Sequence, residues 1–215
     1  MTNSLRNIFA GLALSLAFVA PAAAAEPVAA VAAAKPTATE TFKLRHGKVV
    51  ELVKKGAATE TLQKEVDLLL NYKALAETSL GGPKHYASKC GSRCADFEKV
   101  LARLIRENYL KRIRSDKKYD LTILGEESKP RGTHVRTQIA LTRDGKPEVV
   151  EVVYVMEETD AGWQVEDIVT DGVSLAKNYK FEFNKILKEK GIDELISRLE
   201  GKVSELAAAP VKPKK

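Results

Sequence analysis

The sequence predicts an α+β fold: a four-stranded antiparallel meander covered by amphipathic helices. Three observations predict it. Apolar residues recur at helical spacing from Phe42 to Ile113. The period then switches to two between Leu121 and Thr170, in runs separated by short turn signals. Helical spacing returns after Gly172 and lasts to Leu199. Helices that flank a meander in sequence on both sides must pack on it to bury their apolar stripes.

The chain opens with residues outside that fold. Arg6 gives a short basic start, Ile8 to Ala20 is an uncharged apolar run, and Pro21 to Ala25 offers the small residues a signal peptidase reads. Residues 1–25 read as a secretory signal peptide, because the run is too short to span a membrane and ends in a cleavage site. Residues 26–39 are an Ala/Pro-rich linker with too little apolar bulk to order itself. The domain proper runs over residues 40–206, and residues 207–215 form a disordered basic tail with Pro210 and Pro213.

Phe42 to Lys55 reads as a helix that ends near Gly56. Thr59 caps the next, with Leu62, Val66, Leu69 and Leu70 on one face, and Asn71 caps a third from Tyr72 to Leu80. Gly81-Gly82-Pro83 stops it, and Lys84 to Arg93 is a basic loop or short helix. From Asp96 to about Ile113 a strong helix carries Phe97, Val100, Leu101, Leu104, Ile105 and Leu110 on a wide stripe. Lys and Arg crowd its last turn, as the helix dipole favours.

Leu121 and Ile123 open the strands. After a turn at Lys129 to Gly132, Val135, Thr137, Ile139 and Leu141 alternate with polar residues. Asp144-Gly145 is a hairpin turn. Val149 to Met156 is apolar on both phases except at Glu151, which predicts a central strand covered on both faces. Asp160-Ala161-Gly162 turns into the last strand, Trp163 to Thr170. A tight Asp171-Gly172 turn then leads to a helix with Tyr179 and Phe183 one turn apart, a break at Gly191 and a second helix.

The chain carries a formal net charge of +6. A basic balance suits anionic partners, either lipid headgroups or an acidic protein face; export makes nucleic acid the poorest fit. The basic cluster at Lys111 to Lys118 suits either. Cys90 and Cys94, four residues apart in an exported chain, most simply form a disulfide, with free thiols the alternative. One C-x-x-x-C lacks the further ligands of a zinc site.

A catalytic set is hard to assemble. His46 lies between Arg45 and Lys48 and reads as a surface residue, His134 falls on the polar phase of a strand, and His85 sits in the basic loop. Asp167 shares the phase of Trp163, Val165 and Val169, the phase expected to face the core. A buried carboxylate needs partners. Its structural role is to bond backbone N–H groups or a basic side chain near the turn. Its alternative role is as acid or base of an exported small-molecule enzyme on a cone-shaped α+β fold.

The block W-Q-V-E-D-I-V-T-D-G-V-S-L-A-K-N-Y-K-F-E-F-N-K-I-L resembles the signature of the MlaC family, also called the toluene-tolerance or ABC-transporter auxiliary family. The pattern falls on Trp163, Val165, Asp167-Ile168, Gly172-Val173-Ser174-Leu175, Asn178-Tyr179, Lys180 and Phe183. Gly191 to Leu199 also fits, as do Ala76 to Gly81 and the helix from Phe97 to Tyr109. The chain departs from the pattern at Gly82-Pro83-Lys84-His85-Tyr86, where an aromatic usually follows Leu-Gly. It departs again in its C-G-S-R-C loop, and at Lys180, where Arg is usual.

The resemblance implies a periplasmic phospholipid carrier with an apolar cavity between sheet and helices, an NTF2-like cone. It implies no enzyme activity and no cofactor or metal, with bound phospholipid as cargo. The partners it implies are an inner-membrane MCE-domain/ABC transporter complex and an outer-membrane lipoprotein complex, served by a monomer that maintains outer-membrane asymmetry. Two long acyl chains need a shelter worth on the order of 20 kcal/mol at roughly 0.8 kcal/mol per buried CH₂. By strand and helix phase, the lining would come from Leu69, Leu75, Leu80 and Leu104 on the helices before the sheet. Ile139, Leu141, Val152, Tyr154, Val165 and Val169 would serve from the strands, and Leu175, Tyr179 and Phe183 from the last helix.

Overall fold

The structure is a computed structural model that describes residues 35–114, 120–143 and 146–208. The expected signal peptide, most of the linker, the Asp144-Gly145 turn and the tail beyond Ala208 lie outside the described residues, as do residues 115–119. No described helix is long and apolar enough to cross a membrane.

Among the described residues, six α-helices, one 3₁₀ turn (Gly91–Arg93) and five strands follow one another. Helices α1 (Ala38–Lys54), α2 (Thr59–Leu69), α3 (Tyr72–Ser79), α4 (Pro83–Cys90) and α5 (Cys94–Arg114) precede the sheet. The strands are β1 (Asp120–Lys129), β2 (Gly132–Arg143), β3 (Lys146–Thr159), β4 (Gly162–Thr170) and β5 (Val173–Ser174), and α6 (Leu175–Ala208) closes the chain. The sheet is antiparallel with order β1-β2-β3-β4-β5. The meander therefore has five strands rather than the expected four. The extra one is a two-residue strand, too short to show a period. It forms because Asp171 (φ 48°) and Gly172 (φ 79°) both take positive φ, as a tight hairpin turn requires.

Helix α1 starts four residues before Phe42. Thr37 accepts a hydrogen bond from the Glu40 amide while the Glu40 carboxylate accepts from the Thr37 amide, a reciprocal capping box. Thr59 is the first residue of α2 rather than its cap. Asn71 caps α3 as expected, its side chain accepting from the Ala74 amide. Between α2 and α3 the chain runs extended through Leu70, and the Asn71 amide donates to the Val165 carbonyl. The free edge of β4 is thereby partly covered.

The helices lie on one face of the sheet. Val135, Thr137 and Ile139 of β2 and Val150, Val152, Tyr154 and Met156 of β3 point to that face and are buried. The Phe42 ring of α1 lies 4.2 Å from the Tyr154 ring. The other face shows Arg136, Gln138, Ala140 and Val149 to solvent. So β3 is central; on this outer face Val155 is buried as expected, but Val149 is 62% exposed, and the expectation of cover on both faces fails there. At the hairpin before β2, a Cβ on Gly132 would stand 2.6 Å from the Met156 carbonyl oxygen, so only glycine fits.

A β-bulge breaks the phase of β4. Val165 pairs with Met156, but Asp167 pairs with the adjacent Val155, leaving Glu166 as the extra residue. Trp163 and Val165 thus share the helix-facing side with Ile168, while Asp167 and Val169 turn to the other side. This overturns the expected inward phase of Asp167 and Val169.

Helix α5 packs on α6 through Phe97 and Phe183, whose rings meet edge to face at 5.9 Å. Arg106 of α5 bonds both carboxylate oxygens of Asp67 at 2.9 Å, tying α5 to α2. Cys90 and Cys94 form a disulfide with Cα atoms 4.8 Å apart, pinning the corner between α4 and α5. Helix α6 is interrupted at Gly191 (φ 79°, ψ −176°), where the sequence placed a break. Arg93 reaches Asp193 just beyond that break at 3.2 Å, holding the second half of α6 to the same corner.

Candidate functional site

A cavity of about 410 Å³ opens where α5 and the start of α6 meet the sheet. Ile139, Val152, Tyr154 and Ile168 form its floor. Ile105, Tyr109 and Ile113 wall it from α5, and Leu175 and Tyr179 from α6. Its size is that of a small-molecule pocket. Arg112, Val173, Asn178 and Glu182 also line it and are exposed, so they mark its mouth. Burial pushes the Tyr179 phenol up, reinforced by the Glu182 charge and opposed by Arg112. An apolar interior with a charged and amide-bearing rim suits an amphipathic molecule, tail inward and head in water.

The strands and helices position these side chains by simple periodicities. Val152 and Tyr154 are two apart on β3, and Ile139 stands across from Val150 on the same face. Ile105, Tyr109 and Ile113 recur every fourth residue along α5. Ile168 faces the cavity only because the bulge at Glu166 shifts the phase of β4.

Beyond the bulge, Asp167 holds the start of α6. One carboxylate oxygen accepts from the Ile168 amide at 2.9 Å and the Ala176 amide at 3.0 Å; the other accepts from the Ser174 hydroxyl. Ser174 Oγ in turn accepts from the Lys177 amide at 3.0 Å. These are capping bonds for the first turn of α6, which carries Leu175 and Tyr179 into the cavity. Asp167 is not among the cavity residues, so the enzyme reading lacks the acid or base it needs there.

A second cavity of about 710 Å³ lies between α1 and β1, lined by Phe42, His46, Gly47, Val50, Leu121 and Ile123 among others. His46 is buried, at 5% exposure, and not on the surface as its charged neighbours suggested. Its ring stacks on Phe42 at 5.1 Å, and its Nδ1 lies 2.6 Å from the hydroxyl of Tyr109. Burial pushes the imidazole down to about 4. His85 is exposed on α4, and His134 lies on the polar side of β2.

Of the residues expected to line a cavity, Ile139, Val152, Tyr154, Leu175 and Tyr179 do so. Leu69, Leu75, Leu80, Leu104, Val165 and Phe183 are all buried in the core and line neither cavity. All six belong to the packed hydrophobic core. Val169 is turned away by the bulge, and the side chain of Leu141 lies outside the described residues. Sequence reasoning missed the α5 wall of Ile105, Tyr109 and Ile113, although their four-residue spacing was readable. Among the described residues no group of histidine, cysteine and carboxylate side chains could hold a metal ion.

The family model described as MlaC protein matches residues 39–201. No curated protein matches the chain. Among solved structures, the chain is similar to a phospholipid-binding protein from Ralstonia solanacearum in complex with a phospholipid. That likeness has a TM-score of 0.63 at 20% identity and covers 80% of this chain and 99% of the other, which shows a shared fold.

Proposed function

The chain belongs to the MlaC family, and on that premise we propose that it binds phospholipid in the cavity between α5, α6 and the sheet. The observation that carries this reading is the cavity itself, with apolar Ile139, Val152, Tyr154 and Ile168 beneath a mouth of Arg112, Asn178 and Glu182. Acyl chains occupy the floor, where each buried CH₂ contributes roughly 0.8 kcal/mol. The phosphate stays at the mouth, within reach of the Arg112 guanidinium and the Asn178 amide. Few polar groups enter the interior, so the headgroup is weakly selected. The Ralstonia protein of the same fold, described with a bound phospholipid, supports phospholipid as the ligand.

The chain acts as a carrier, without chemistry on its cargo and without a cofactor. It works in the periplasm as a monomer, shuttling phospholipid between an inner-membrane MCE-domain/ABC transporter complex and an outer-membrane lipoprotein complex. The result is maintenance of outer-membrane lipid asymmetry. Entry and release require α5 and α6 to part from the sheet at a partner that favours the open state.

Native mass spectrometry of the purified protein, followed by organic extraction and lipid analysis, tests the reading. Phospholipid near one per chain is the expected result. Protein that carries no lipid and takes none from vesicles would overturn it.

A further inference from the structure

Phe181 is 80% exposed, the most open large apolar side chain among the described residues. It lies on the first half of α6, the segment whose Asn178 and Glu182 form the cavity mouth. Lys177 and Lys185 stand one turn on either side of it, and Lys188 two turns beyond, on the same stripe. All three are exposed, as is Lys180. Among the described residues none of these four has an ion pair with a carboxylate. Lys89 of α4 bends over to donate to the neutral amide of Asn184 at 2.6 Å. Burial and the nearby charges of Lys180 and Lys188 hold its ammonium below the ordinary lysine range. Lysines from two helices are therefore crowded together and outnumber the exposed carboxylates of this half-helix, Glu182 and Glu189, with which they form no ion pair. Val173, 62% exposed, adds a second apolar side chain at the mouth.

From this arrangement we propose that the α6 stripe of Phe181, Lys177, Lys185 and Lys188 is a docking surface for an anionic phospholipid bilayer. The charge complementarity is direct: the excess of ammonium groups over carboxylates on this half-helix faces anionic headgroups. A single phenyl ring amid lysines is the composition of an interfacial anchor, which seats an aromatic at the headgroup boundary. A stable protein partner would need roughly 800 Å² of complementary surface on this side, and one phenyl ring with one valine offers no such apolar core. Resting on the carrier reading, this docking brings the cavity mouth to the bilayer in which the membrane partners sit, so that the partner that opens the cavity is met there.

Vesicle flotation of the purified protein after removal of residues 1–25 tests it, in low and in high salt. One set of vesicles contains phosphatidylethanolamine and phosphatidylglycerol, the other phosphatidylcholine alone. The wild type is expected to float with the anionic vesicles and not the neutral ones, and to be released by salt. Phe181→Ser and the pair Lys185→Glu with Lys188→Glu are each expected to lower the partition, the charge reversals by at least about ten-fold. Phospholipid extracted from the purified variants should stay at the wild-type level, since none of these residues lines the cavity. Wild-type protein that ignores anionic vesicles overturns the docking surface. So does a wild type that binds while both variants bind equally well, which would put the attraction elsewhere on the basic chain. Absence of extractable phospholipid from the wild type is a separate result and counts against the carrier reading alone.

Discussion

The imidazole of His46 and the hydroxyl of Tyr109, 2.6 Å apart, join residues that line different cavities. His46 faces the cavity under α1, and Tyr109 the cavity beside α5. The bond ties α1 to α5 at the wall between them, and the buried site around it favours the neutral imidazole. Burial keeps that ring unprotonated until about pH 4. In the unfolded chain it takes its proton near 6.5. Between those values the unfolded state binds more protons, so the stability is present above pH 6.5 and is lost as pH falls toward 4. The loss amounts to about 3 kcal/mol. Denaturant unfolding of wild type and His46→Gln across this window should show the wild type losing stability faster on acidification. A constant difference between the two would rule the account out.

The bulge in β4 makes a sharp prediction from two adjacent residues. Ile168 faces the cavity and Val169 the opposite side of the sheet. Ile168→Asp places a charge on the apolar floor and should cut extractable phospholipid several-fold. Val169→Asp should leave lipid content near wild type. Phosphate assay of organic extracts reads both, with circular dichroism as the folding control. The reverse outcome would restore the unbroken phase that alternation alone suggests.

That phase error shows where the sequence ceased to be legible. The α5 stripe, the Asn71 cap, the turns at Gly132, Gly162 and Gly172 and the Gly191 break all follow from residue types whose conformational demands are local. The bulge does not, because Glu166 and Asp167 are both polar and fit either phase. The cavity is harder still. Leu104 and Ile105 are adjacent on α5 and both apolar, yet Leu104 is packed solid and Ile105 lines the cavity. Only the arrangement of α6 decides which space is filled. His46 was misread from its charged neighbours Arg45 and Lys48. The better signal was its position four residues after Phe42, on the buried stripe.

Asp167 is predicted to matter for stability rather than for chemistry. Asp167→Ala removes the acceptor for the Ile168 and Ala176 amides and for Ser174. The cost should be about 3 kcal/mol, since buried donors lose their partner at the start of a helix. Ser174→Ala should cost about 1 kcal/mol. The double variant should cost less than the sum, because the Ser174 hydroxyl is oriented by the carboxylate it bonds. Urea unfolding of the four proteins measures the cycle; strict additivity would contradict the shared network.

Glu166 gives the opposite pH slope. At the bulge its carboxyl is pushed up to about 7, first by burial, then by its hydrogen bond to Glu157 and by the charges of Glu157 and Asp167. In the unfolded chain it ionises near 4.5. The folded state therefore holds a proton that the unfolded state has lost. Its contribution is fully present below pH 4.5 and disappears as pH rises through 7. Glu166→Gln should accordingly stabilise the protein above pH 7 and change little below pH 4.5. The gain should be on the order of 1 kcal/mol, reduced from the full shift because the group is partly open to solvent. In wild type the His46 and Glu166 slopes oppose each other across the overlapping part of their windows. Glu166→Gln should uncover the acid loss due to His46, and His46→Gln should uncover the alkaline loss due to Glu166. The two residues sit on different elements, so the double variant should lose both slopes together.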